Sequence, residues 1–426
     1  MDPQDRRYQA YIEILKEELV PAMGCTEPIA IAYAAARARE VLGCLPERAE
    51  VEVSRNLIKN AKSVVVPNTG GLKGIRASVA AGIAAGEADR VLEVLAGVDD
   101  AGRERINDFL ANAEISVGET QSDLLFDLVI RVFAGDDEAL VRISHYHTNI
   151  VLITRNGENV YTNQDCEEIA VLNLADRSLL NVRDIVDFAA TVELAEVEDL
   201  LQRQIDDNMA IAEEGLRGNW GANVGSVLLE TWGEDVKVRA RALAAAGSDA
   251  RMGGCDLPVV IVSGSGNQGI TASVPVIVYA RELGGERETL LRALLVSNLV
   301  SIHQKTGIGR LSAYCVAVSA GCGAGAGITW LHGGRFEEIA HTIVNALASV
   351  SGIICDGAKP SCAAKIAASV DAGLLGFYMY RNGQEFYGGD GIVTKGVENT
   401  IRNIGRLGRD GMKETDREII RIMLGE

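Results

Sequence analysis

Strand-like alternation is confined mainly to one stretch of this 426-residue chain, and helical patterning dominates the residues downstream of it, an order that restricts the fold class. Between Glu114 and Tyr161 the chain is β-rich, with turns at Gly135-Asp136-Asp137 and Asn156-Gly157. Ahead of it, residues 8–20 and 28–43 read as helices, the second opened by Thr26-Glu27-Pro28 with Thr26 as N-cap. Val51 to Ser54 alternates like a strand, Ser63 to Pro67 is a short apolar β-branched run, and Asn68-Thr69-Gly70-Gly71 turns into an Ala-rich helix over 73–85. Further helices are expected over 89–96 and 103–112. From Cys166 onward the pattern is helical, broken by Gly-rich loops at 252–254, 264–269, 321–327 and 388–391. This order predicts an α+β fold: a mixed α/β domain over 1–170, then a mainly α-helical domain over 171–426. The length agrees, since single cores stop growing well below it.

Composition narrows the function classes. The apolar fraction is 47% with only 5% aromatic, beside 46 glycines, which suggests close-packed helices and backbone-lined sites. A net charge of −18 argues against nucleic-acid or anionic-membrane partners, which an acidic surface would repel. The start, Met1-Asp2-Pro3-Gln4-Asp5-Arg6-Arg7, is charged and lacks an apolar leader core, so a cytoplasmic location is expected. Cys315 to Leu331 is too short and too rich in Gly and Ala for an ordinary membrane span and reads as a buried helix and loop. With no export signal, the eight cysteines favour free thiols, a metal site or catalysis over disulfides.

Two cysteine-bearing segments stand out. In Cys355-Asp356-Gly357-Ala358-Lys359-Pro360-Ser361-Cys362, Gly357 and Pro360 make a loop that can wrap around something. Gly321-Cys322-Gly323-Ala324-Gly325 offers another cysteine among small neighbours, where main-chain N–H groups can approach sulfide or thiolate. Three cysteines on two loops could hold three irons of a [4Fe–4S] cluster and leave the fourth open as a Lewis acid; zinc, or simple burial, suits the same residues. Cys25 opens a helix, where unpaired N–H groups lower a thiol's pKa, and is a candidate base or nucleophile as well as a packed thiol. Cys44, Cys166, Cys255 and Cys315 read as structural.

The run Leu257 to Val262 leads into Ser263-Gly264-Ser265-Gly266-Asn267-Gln268-Gly269, a turn able to cradle a phosphate or carboxylate, or to serve only as a tight loop. It resembles the loop of fold-type-II pyridoxal-phosphate dehydratases, but the Schiff-base lysine expected upstream is missing: no lysine lies between Lys73 and Lys237, and neither has the right context. His303 and Lys305, in Ser301-Ile302-His303-Gln304-Lys305-Thr306-Gly307, either orient a substrate carboxylate or end a helix. His145 and His147, two apart on an expected strand, give a weak metal signal.

Gly24-Cys25-Thr26-Glu27-Pro28, Ser54-Arg55-Asn56, the Ser263 to Gly269 loop, His303 to Gly307, Gly321-Cys322-Gly323 and Cys355 to Lys359 together resemble the L-cysteine desulfidase family. The similarity spans nearly the whole chain, and that family is related to the iron–sulfur L-serine dehydratases, whose β-like domain precedes a helical α-like one. The resemblance implies a [4Fe–4S] cluster on Cys322, Cys355 and Cys362, no pyridoxal phosphate, and a catalytic Cys25. It implies substrate contacts from Thr26, Glu27, Ser263, Ser265, Asn267, Gln268, His303 and Lys305. The expected reaction is β-elimination of L-cysteine to pyruvate, ammonia and hydrogen sulfide, with a homodimer expected by fold analogy alone. Against the serine dehydratases stand two departures: Cys25 where they carry a Ser-His-Thr motif, and a Leu424-Gly425-Glu426 end without a terminal cysteine. Serine dehydration is the alternative; a pyridoxal-phosphate lyase or a non-catalytic iron–sulfur carrier is the remoter one.

Overall fold

The computed structural model describes residues 1–122, 124–163, 174–309 and 312–425; Cys166 and the boundary expected near residue 170 lie outside them. The N-terminal part runs α1 (Arg6–Glu18), β1 (Pro21–Met23), α2 (Thr26–Leu42), β2 (Arg48–Val53), α3 (Arg55–Ala61), α4 (Gly74–Ala85) and α5 (Asp100–Asn112). Five strands come next: β3 (Glu114–Glu119), β4 (Asp127–Ala134), β5 (Asp137–Ser144), β6 (Ile150–Arg155) and β7 (Glu158–Thr162). Together with β2 they form a six-stranded sheet ordered β3-β2-β4-β5-β6-β7, with β2 and β3 parallel and the other pairs antiparallel.

The alternation read from the sequence decides which sheet face is covered. Ala49, Val51 and Val53 of β2, Leu128, Ile130 and Val132 of β4, and Ala139, Val141 and Ile143 of β5 are all buried, and α2 packs on β4 and β5. Each fully buried Val, Leu or Ile among them contributes about 1.5–3 kcal/mol, the alanines less. Two local expectations fail. In place of the helix expected over 89–96 there is a short 3-10 turn, Ala88–Glu93, and of the 63–67 run only Val65 makes a bridge, to Lys73.

The C-terminal part comprises α6 (Val182–Thr191), α7 (Glu198–Arg217), α8 (Val224–Trp232), α9 (Val236–Gly253), β8 (Pro258–Val260), α10 (Gly266–Glu282), α11 (Arg287–Ile308), α12 (Val316–Leu331), α13 (Phe336–Val350), α14 (Cys362–Arg381), α15 (Val397–Arg406) and α16 (Lys413–Leu424). The chain is therefore α+β, as its patterning predicts. The two parts are tied by β1, which pairs antiparallel with β8, and one buried apolar cluster runs through both. Among the described residues one helix, α14, is long and apolar enough to cross a membrane, but it is half-buried and packs against α9, α12 and α13.

The expected loop at 321–327 is instead the middle of α12, and the reason is steric. A Cβ on Gly321 would lie 2.3 Å from the Ser369 carbonyl oxygen, one on Gly325 2.7 Å from that of Gly373, and one on Gly373 2.2 Å from that of Gly321. These glycines remove side chains so that α12 and α14 cross backbone to backbone. Cys322, carried in that stretch, is buried in the helical core with no exposed surface.

Candidate functional site

A cavity of about 550 Å³ opens between the sheet and the helices. Four helix starts contribute to its wall: Thr26 and Glu27 of α2, Ser265 and Asn267 at α10, Cys315 and Val316 at α12, and Cys362 at α14. Unpaired N–H groups and helix dipoles make such ends favourable to anions, so an acidic protein can still hold negative groups here. From the sheet side, the β5–β6 loop supplies His145, Tyr146 and His147, and Leu124, Leu125 and Phe126 precede β4. His145 has a φ of +67°, so the histidine pair sits on this loop and not on the expected strand, with His147 edge-on to Phe126.

Three cysteines face the cavity: Cys315, Cys355 and Cys362. Cys315 and Cys355 are brought alongside by paired backbone, with Cys315 N donating to the Ile353 carbonyl at 3.0 Å and Cys355 N to that of Ala313 at 2.6 Å. Between them Tyr314 bridges Ile354. The loop to Cys362 is folded back by Gly357, whose φ is +94° and whose Cβ would lie 2.5 Å from the Lys59 carbonyl oxygen. Burial and the neighbouring Cys355 push the Cys315 thiol up to about 12. Burial likewise raises Cys362, opposed by the Lys359 backbone bond.

Among the described residues no three His, Cys, Asp or Glu side chains gather closely enough for a single ion. A [4Fe–4S] cluster seats each thiolate on a different iron and asks for three thiols around one space, which is what this wall offers. Cys322 therefore gives way to Cys315 as the third candidate ligand. It lies within α12, away from the cavity wall, and burial raises its thiol. Cys315 was missed because, as the first residue of an apolar run, it carries no loop signature; its position as the α12 N-cap was the signal available.

Cys25 is the N-cap of α2 but not a cavity-lining residue. It packs with Val64 and Met252 directly behind Ala358 and Cys362, its Sγ 3.9 Å from Met252 Sδ. Burial pushes its thiol up to about 12, against the pull of Arg251, so desolvation outweighs the helix dipole that suggested a lowered value. Thr26, expected as the cap, instead donates from Oγ1 to the Gly264 carbonyl at 3.0 Å and so ties α2 to the Ser263 loop. Glu27 accepts from Asn60 Nδ2 at 3.0 Å and faces His147 Nε2 at 3.8 Å, an ion-pair distance too long for a hydrogen bond. Burial alone would raise Glu27, but His147 and Arg251 outweigh it and hold the carboxyl down to about 2.

The Ser263 loop is built as expected for its first half: Ser263, at a φ of +49°, is a strained non-glycine residue, and Ser265 caps α10 by accepting from Gln268 N. Ser263, Ser265 and Asn267 line the cavity, as do Lys305 and the unanticipated Lys59, Asn60 and Arg251. Two expected contacts do not. Gln268 is the third residue of α10, fully buried and not among the cavity-lining residues. His303, on α11, pairs through Nε2 with Glu398 at 2.7 Å, so it joins α11 to α15 and is not part of the site.

An anion-favouring cavity with three thiols and an ionised carboxylate is the equipment of a lyase- or dehydratase-type enzyme. Residues 76–421 match the family model described as serine dehydratase alpha chain, and the chain belongs to that family, in which iron–sulfur dependence is general. It is 61% identical to a UPF0597 protein of Desulfitobacterium hafniense over 426 residues, all of this chain and 99% of that one. A UPF0597 protein of Lachnoclostridium phytofermentans is 51% identical over 98% of this chain and its own full length. One from Aeromonas hydrophila is 43% identical over 97% of this chain and 95% of its own.

Proposed function

We propose that the protein is an L-cysteine desulfidase, converting L-cysteine and water to pyruvate, ammonia and hydrogen sulfide in a reducing cytoplasm. The observation that carries this reading is the shared cavity of Cys315, Cys355, Cys362 and the ionised Glu27. A [4Fe–4S] cluster on the three cysteines would supply an open Lewis-acid iron for the departing sulfur.

The remaining work falls to side chains of this chain. Glu27, kept as carboxylate by His147 and Arg251, receives the substrate ammonium, while Asn60 Nδ2 fixes its Oε1. The N–H groups at the start of α10 face the substrate carboxylate. Cys25, a neutral thiol at rest, can act as a base only as the thiolate, so its own proton must first pass to solvent water; the Arg251 charge, which pulls its pKa down, favours that loss. In this reading the Cys25 thiolate, behind Cys362, takes the proton from the α-carbon and becomes a thiol again, while the electron pair left forms the Cα=Cβ bond as the Cβ–S bond breaks and sulfide departs; the aminoacrylate that remains hydrolyses to pyruvate and ammonia.

The family match favours a second reading, L-serine dehydration at the same site. Anaerobic turnover of L-cysteine and L-serine side by side separates them. Equal sulfide and pyruvate from L-cysteine, at a higher kcat/KM than pyruvate from L-serine, supports desulfidation; the reverse preference overturns it.

A further inference from the structure

Arg251 is unusual among the cations of this chain. It closes α9 at the cavity wall, is 4% exposed, and donates from Nη1 to the neutral side-chain oxygen of Asn267 at 3.2 Å. Its Nε is buried without a hydrogen-bond partner, and although its charge acts on Glu27 from a distance, no carboxylate among the described residues lies within ion-pair reach of it. Desolvating a guanidinium is costly, and buried arginines are normally offset by an anion. Lys59, also on the wall, already has one, Asp416 at 2.5 Å.

The surroundings are shaped for it. A Cβ on Gly266 would stand 2.4 Å from Arg251 Nε and 2.8 Å from Cζ, so only glycine lets the guanidinium lie against the first turn of α10. Guanidinium and helix start therefore address the same part of the cavity, and the planar fork of arginine matches a carboxylate. Glu27, a fixed negative charge, lines the same space.

We infer that Arg251, oriented by Asn267 and seated on Gly266, is the carboxylate anchor that makes this cavity select α-amino acids. The inference deepens the amino-acid lyase reading and rests on it. Arg251 acts here as a binding and specificity residue, while Glu27 receives the opposite end of the zwitterion.

The test needs no turnover. Ligand-induced melting shifts of the anaerobic full-length protein give affinities for L-cysteine and L-serine and for their carboxylate-free counterparts, cysteamine and ethanolamine. In the wild type, loss of the carboxylate should weaken binding ~100-fold. In Arg251→Gln, each amino acid should bind no better than its counterpart. A penalty that stays ~100-fold in this variant, or that is lost in Lys305→Gln and kept in Arg251→Gln, overturns the anchor. Should Arg251→Gln not fold, Arg251→Lys decides: the penalty must fall at least about threefold, since ammonium cannot form the bidentate pair. If L-cysteine yields no sulfide yet the carboxylate penalty still depends on Arg251, the anchor stands and desulfidation fails. If the wild type shows no penalty with either amino acid, the anchor fails whatever the turnover.

Discussion

The crossing of α12 and α14 carries the most direct structural consequence. Gly373→Ala would place a methyl carbon 2.2 Å from the Gly321 carbonyl oxygen, 3.1 Å from its carbonyl carbon and 3.3 Å from Gly325 N. A carbon normally sits no closer than about 3.3 Å to such an oxygen, so the helices must part by about 1 Å. Both neighbours are backbone and cannot rotate aside, and overpacking of this kind costs about 1–3 kcal/mol. Cys315 caps α12 and Cys362 begins α14, so displacing one rigid helix against the other changes the separation of two of the three cavity thiols. The assay is iron per chain after anaerobic reconstitution, with Tm measured on the same samples. We expect a Tm lowered by a few degrees and cluster occupancy reduced severalfold. Gly352→Ala, where a Cβ would meet nothing within 4 Å, should change neither. Wild-type Tm and full iron in Gly373→Ala would refute the steric argument.

Three further outcomes concern the site. Glu27 has a depressed pKa, from 4.5 to about 2, so its contribution of about 3 kcal/mol is fully present above 4.5 and is lost as pH falls through about 2. The stability gap between wild type and Glu27→Gln should thus narrow below about pH 5 in urea titrations, and a gap independent of pH contradicts the assignment. Cys25→Ser, buried behind Cys362, should keep the visible cluster absorbance and lose at least ~100-fold in kcat; full activity removes Cys25 from the mechanism. His303→Gln should lower Tm by releasing Glu398 from α11 while KM for L-cysteine stays within about twofold; a large KM increase would return His303 to the site.

Physical periodicity made part of the fold legible in the sequence. Alternation located β2 and the β-rich stretch that divides into β3 to β7, and the Gly-rich turn before α10 announced an anion-favouring helix start, because both signals are local. The misplaced residues depend on packing between distant segments. Gly321 to Gly325 looks like a loop in one dimension; only Ser369 and Gly373, on another helix, explain the glycines. Cys25 carried the right local feature for a low pKa, but burial by Val64 and Met252 reverses it. Arg251 has no sequence mark at all, since its importance comes from Gly266 and Asn267 on α10.

The central claim is that Cys315, and not Cys322, completes the set with Cys355 and Cys362 in a lyase site. It is tested most directly by anaerobic iron and acid-labile sulfide analysis of wild type, Cys315→Ala and Cys322→Ala, with sulfide and pyruvate from L-cysteine measured in the same tubes. The account predicts about four irons per chain and equal sulfide and pyruvate for wild type and Cys322→Ala, and loss of both iron and turnover for Cys315→Ala. Iron retained in Cys315→Ala but lost in Cys322→Ala, or undiminished turnover by iron-free protein, would contradict it.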